Sequence, residues 1–162
     1  MERLRVHADA TTFIGLARID LLDLLTLLRT PILVTTRVWE EVAPDSPRPG
    51  THALRVTHAA GLLAVVDEGD PAAFPQFDAG ESMVISAAAA APSVVLLDER
   101  RARSVIVESP ELQNQIVQVT GIFGLILLAK KRGHIDTARP LVDDLRRPGC
   151  RISLALYRNV LN

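Results

Sequence analysis

The sequence predicts an α/β protein, a three-layer α/β/α arrangement around a parallel sheet of about five strands. Short Val-, Ile- and Leu-rich runs alternate with longer segments of helical periodicity, the pattern of repeated βαβ units. Strands joined in this way pair in parallel through right-handed crossovers, with helices on both faces. The 162 residues are 48% hydrophobic but only 4% aromatic, so the core has to be aliphatic. Neither a repeat nor a low-complexity linker divides the chain, so residues 1–162 are expected to form one domain of ordinary size.

The elements follow in order. Leu4 to Ala8 (LRVHA) reads as the first strand and runs straight into Asp9. TTFIGLARI sets Phe13, Leu16 and Ala17 on one helical face, and LLDLLTLLR reads as a second helix ending before Pro31. Ile32 to Val34 is a short strand, with Thr35 or Thr36 available to cap the helix RVWEEVA. PDSPRPG holds three prolines and a glycine and is a loop. THALRVTHAAG is helical in pattern, LAVV (63–66) is the third strand and EGDPAAFPQ another loop. The alanine-rich segment from Ala79 to Ala91 is a helix stopped by Pro92. Val94 to Leu97 is a buried strand leading into Asp98, and Arg100 to Val107 the next helix. Ile116 to Val119 gives a fifth strand and Gly121 to Arg132 a helix closed by Gly133. Two short helices, near Ala138 to Arg146 and Ser153 to Leu161, complete the expected set.

Composition narrows the function classes. The formal net charge of −1 neither favours nor excludes a polyanionic partner, because cations bound to a few carboxylates would turn the balance positive. Cys150 is the sole cysteine, so no intrachain disulfide forms and a reducing, cytoplasmic location is expected. MERLRVHAD reaches an aspartate before any apolar stretch of signal length. The longest apolar run, Val119 to Ala129, is too short to span a bilayer, so no membrane association is expected. A phosphate-binding glycine loop ending in Gly-Lys-Ser/Thr is absent. The histidines at 7, 52, 58 and 134 lack metal-ligand spacing; His7 reads as a packed core residue and Trp39 as a packing anchor.

Ligands of open parallel sheets sit beyond the carboxyl ends of the strands. Asp9 and Asp98 lie there by direct reading, although each also suits a helix N-cap. Glu81 stands three residues after Asp78 in DAGES, the spacing of a capping box. Glu40 and Glu41 are adjacent in RVWEEV, and spacing alone singles out neither. Converging carboxylates repel one another, and a hard divalent cation such as Mg²⁺ or Mn²⁺ relieves that cost. Arg100, Arg101 and Arg103 follow Asp98 and suit either RNA phosphates or a solvated helix face. The cations at 130–132 suit a helix C-terminus.

Four stretches carry a resemblance to a known family: VHADATTFIGLARIDLLDLL; VTTRVWEEV; DAGESMVISAA with VVLLDERRAR; and VTGIFGLILLAKKRGHI before PLVDDLRRPGCRISLALYRNVL. The chain resembles PIN-domain proteins, in particular a prokaryotic branch related to VapC-type toxin ribonucleases. The resemblance implies a catalytic and metal-binding cluster of Asp9, Glu41, Glu81 and Asp98 holding one or two Mg²⁺ or Mn²⁺ ions. It further implies an RNA substrate cleaved by cation-activated water to leave 5′-phosphate and 3′-hydroxyl ends, a small antitoxin partner and a homodimer. Leu97 departs from the family, which commonly has Thr or Asn just before the last acid.

Two other functions compete. A PIN-like binding module without turnover would keep the acidic pocket for complex assembly, and Leu97 is its best support. A phosphoacceptor domain would use Asp67 after the third strand, but needs that strand in the middle of the sheet and a lysine after the last, where Thr120 and Gly121 stand.

Overall fold

The computed structural model describes residues 4–18, 21–28, 30–42, 51–97 and 99–136, together with Pro140 and Asp143. Five strands form one sheet: β1 (Arg5–Ala8), β2 (Ile32–Thr35), β3 (Leu63–Val66), β4 (Ser93–Leu96) and β5 (Ile116–Thr120). Every pairing is parallel and the order is β3-β2-β1-β4-β5. From β1 the chain builds outward to β3, then crosses back and builds the other way through β4 and β5. The sheet thus changes direction between β1 and β4, the place where open parallel sheets take their ligands.

Helices occupy both faces, as a parallel sheet requires to bury its two sides. The helix α1 (Ala10–Arg18) leaves β1, and a 3-10 segment (Leu22–Leu28) returns the chain to β2. The expected second helix is therefore present in the tighter form: Leu22, Leu24, Leu25 and Leu27 are all buried, more of its circumference than an amphipathic α-helix hides. Next come α2 (Thr36–Val42) and α3 (Thr51–Ala59). The Thr35 hydroxyl accepts from Val38 N at 3.4 Å, choosing between the two threonines proposed as its cap. On the far side α4 (Ala79–Ala88) lies across β1, β2 and β4. It is followed, after β4, by α5 (Glu99–Glu108) and α6 (Pro110–Gln115). The sequence reading missed α6, although its Ser109 cap and Pro110 in the first turn are a start signal. Last comes α7 (Ile122–Lys131), which packs on α1, β5 and the 3-10 segment. Gly124 lets its first turn approach β5, because a Cβ there would lie 1.8 Å from Thr120 Oγ1. Arg132 closes the layer by donating to Leu27 O at 3.0 Å. The two expected terminal helices lie outside the described residues, apart from isolated helical positions at 140 and 143.

The core is aliphatic as composition demands, with Phe13, Leu16, Ile32, Val34, Val84, Ile85, Val95 and Leu96 fully enclosed. His7 is enclosed with them, and neither ring nitrogen has a hydrogen-bond partner. Burial, with the Arg5 guanidinium, lowers its pKa from 6.5 to about 4, against a weaker opposing pull from Glu68. Arg5 and Glu68 form an ion pair beside it.

A long loop, residues 67–78, leads from β3 to α4 and is fastened to that helix by two serines. Ser82 Oγ accepts from Phe74 N at 3.0 Å and donates to Asp70 O at 3.0 Å, while Ser86 Oγ accepts from Asp70 N. Gly69 has φ +92°, and a Cβ there would fall 2.3 Å from Met83 O. Only glycine fits this crossing.

Candidate active site

The candidate site lies at the adjoining ends of β1 and β4. Ala8 pairs with Leu96, and Asp9 N donates to Leu96 O at 3.1 Å, so the ladder extends one residue past β1 and fixes the Asp9 backbone. The Asp9 side chain turns into the first turn of α1. Its Oδ1 accepts from Thr12 N at 3.0 Å and from Thr12 Oγ1 at 3.1 Å, so the residue caps the helix as its type permits. Thr12 Oγ1 also lies 3.0 Å from Leu96 O, tying α1 to β4. Capping does not account for the electrostatics. Asp9 is only 3% exposed, and burial drives its pKa from 3.8 up to about 6. The Thr12 backbone and hydroxyl bonds pull the other way, the Glu81 charge pushes up again, and the Thr11 hydroxyl pulls down. Burial wins, leaving an acid whose charged form is costly without a cation.

Glu81 arrives from the opposite face, at the start of α4. The capping box is present: Asp78 Oδ1 accepts from Glu81 N at 2.8 Å, and Glu81 Oε2 accepts from Asp78 N at 3.4 Å. Its other oxygen, Oε1, accepts from Arg101 Nη1 at 2.9 Å. Structural and electrostatic roles thus coincide in one side chain. Glu41 is exposed on α2, where its Oε2 lies 3.5 Å from the position a Cβ on Gly80 would take. It borders a groove of about 440 Å³ with Arg37, Glu40, Asp78 and Ala79, which neither Asp9 nor Glu81 lines. Among the described residues no three acids, histidines or cysteines stand close enough to hold a metal together. Asp98 lies outside the described residues, although the end of β4 that delivers it, Leu96 and Leu97, is fully buried beside β1.

The three arginines do not act alike. Arg100 and Arg103 are exposed one turn apart on α5. Arg101 is turned toward Glu81, and its guanidinium lies 5.4 Å from the Phe77 ring centre. Trp39 packs its ring against His58 at 4.8 Å. Sequence reasoning did not single out Thr12, which orients Asp9, or Phe77, which seats Arg101. The two threonines after Asp9 were the available signal for the first; nothing local marks the second.

Asp67, needed for the phosphoacceptor reading, follows β3 at the edge of the sheet and lies 3.5 Å from Thr36 Oγ1. The middle strand is β1 instead, which overturns that reading.

Fold and site together define a class: a parallel α/β protein with a buried aspartate, Asp9, where its two oppositely built halves meet. The chain belongs to the PIN-domain family, whose model matches residues 5–162. No curated protein and no solved structure matches it. PIN domains are generally nucleases and usually bind divalent metals, and this chain has their fold. No helix among the described residues is long and apolar enough to cross a membrane.

Proposed function

We propose that the protein is a metal-dependent endoribonuclease that hydrolyses RNA phosphodiester bonds, formed by residues 1–162 as a single domain. The observation that carries the reading is Asp9, buried at the adjoining ends of β1 and β4 and raised by that burial to about pKa 6, with Glu81 adding to the rise. The donor chemistry fits a hard divalent cation: two carboxylates, one nearly inaccessible and the other 10% exposed. Asp9 and Asp98 are the direct ligands in this reading. Glu81 and Glu41 complete the site directly or through bridging waters.

Bound Mg²⁺ or Mn²⁺ supplies an activated water and neutralises charge on the reacting phosphate. The chain's own residues do the remaining work. Thr12 holds Asp9 in one rotamer through two hydrogen bonds, so the ligand is preorganised. The α4 capping box holds Glu81. Arg100 and Arg103, exposed on α5, face the phosphodiester backbone of single-stranded or looped RNA. The likeness to VapC-type toxins extends the proposal to a small antitoxin partner and a homodimer.

A second reading, a binding module with little or no turnover, is favoured by two observations. Both oxygens of Glu81 are engaged, and the buried Leu97 puts no hydroxyl or amide before Asp98. Cleavage of a mixed single-stranded RNA panel with Mn²⁺ or Mg²⁺ tests the two readings, with EDTA and Asp9→Asn as controls. The nuclease reading expects cleavage that falls by at least ~100-fold in each control. Well-folded protein that binds Mn²⁺ and leaves every RNA intact would select the binding module.

A further inference from the structure

The contact between Arg101 and Glu81 joins the proposed metal position to a cation the chain already carries. Glu81 Oε2 accepts within the capping box, and Arg101 Nη1 sits 2.9 Å from Oε1. The two partners are unequally enclosed: Glu81 is 10% exposed and Arg101 52%. The guanidinium therefore lies at the mouth of the site with the acids behind it. It is steadied there by the Phe77 ring, 5.4 Å away. Its helix is anchored by the buried Ala102 and Val105, so the backbone that carries it is fixed.

We propose that Arg101 is a built-in counter-ion that competes with the divalent cation for Glu81 and leaves when the cation binds. The inference rests on the metal-centre reading above and deepens it. Two carboxylates, Asp9 and Glu81, present more negative charge than one guanidinium offsets, whereas a divalent cation matches both. Both cations at Glu81 would repel each other at short range, so occupancy by one weakens the other. Half of Arg101 already meets water, so its contact with Glu81 is partly screened. Once released, it stands beside Arg100 and Arg103 at the position where a phosphate would enter. Metal loading and acquisition of a third RNA-facing cation are then one event.

The test is calorimetric titration of EDTA-stripped, full-length protein with Mn²⁺, comparing wild type, Arg101→Gln, Arg101→Lys and Asp9→Asn. Thermal unfolding in EDTA checks that each variant is folded. Removing the competing charge in Arg101→Gln is expected to tighten Mn²⁺ binding about tenfold. Arg101→Lys, which keeps the charge but loses the planar contact, is expected to tighten it roughly two- to threefold. A residue that merely braces Glu81 would give the opposite sign. Equal or weaker binding in both arginine variants, with binding still lost in Asp9→Asn, overturns the counter-ion and leaves the metal centre standing. Absence of Asp9-dependent Mn²⁺ binding in every protein overturns both.

Discussion

Asp9 combines a helix cap and an electrostatic cost in one side chain. Its Oδ1 caps α1 through Thr12, which any aspartate before a helix would do, yet its burial makes the charged form expensive. The folded pKa of about 6 exceeds the unfolded value of 3.8, so the folded state retains a proton that the unfolded state has lost. That stabilisation is complete below pH 3.8 and is lost as pH rises to about 6, ~3 kcal/mol in all. Asp9→Asn keeps an acceptor for Thr12 and never carries the charge. In EDTA at pH 7 it should be more stable than wild type by ~1–2 kcal/mol after allowing for a weaker hydrogen bond, with the advantage gone near pH 4. Urea unfolding at the two pH values measures this, and a variant less stable at pH 7 would contradict it. Thr12→Val tests orientation separately: Mn²⁺ affinity should fall about tenfold in titration calorimetry while the fold persists. At this scale the sequence was legible where an acid follows an apolar run, as at Asp9. It was not legible for Arg101, because adjacency to Asp98 says nothing about whether the side chain faces solvent or Glu81.

Among the elements, α4 and the loop before it show local rules and tertiary override together. DAGES announces a capping box, and the structure contains one. Local pattern does not announce that Ser82 and Ser86 spend their hydroxyls on residues 70–74, or that Gly69 must pass within contact of Met83 O. Gly69→Ala combines a left-handed φ with a backbone collision, and is expected to cost at least ~2 kcal/mol in chemical denaturation. Because the loop carries Asp78 and Phe77, the same variant should weaken Mn²⁺ binding although it lies outside the acid cluster. An unchanged metal affinity would separate loop from site. The strands were read within a residue or so because continuous aliphatic runs between turn signals have few other uses. The 3-10 form of the second helix was hidden because leucine repeats suit either helix; its exposed positions, Asp23 and Thr26, fall three apart on one face.

For the molecule as a whole, the parallel sheet and alternating helices followed from periodicity, whereas strand order did not, since β3 and β5 look equally suited to the centre. The order makes β1 central and Asp67 peripheral. It also places His7 in the middle of the sheet, where its pKa of about 4 lies below the usual 6.5. A lowered histidine acts opposite to Asp9: the unfolded chain takes up the proton first, so stability is full above pH 6.5 and falls as pH drops toward 4. The two slopes nearly cancel, each ~3 kcal/mol over overlapping ranges. Metal-free wild type should therefore show nearly flat stability between pH 4 and 6.5. Asp9→Asn should lose stability on acidification, and His7→Leu should gain it. Parallel denaturation curves of the three proteins measure the cancellation, and a steep wild-type profile would refute it.

The β1–β4 junction also bears on the timing of synthesis. Thr12 and Leu96, which meet beside Asp9, are separated by 84 residues of chain. At ~5–20 residues per second, a ribosome emits β1 roughly 4 to 17 seconds before β4. Until the later strand slots in beside the earlier one, the nascent polypeptide holds its acids on separate, unjoined segments. Hydrolytic competence, in the proposed reading, is thereby withheld from a translating chain surrounded by RNA.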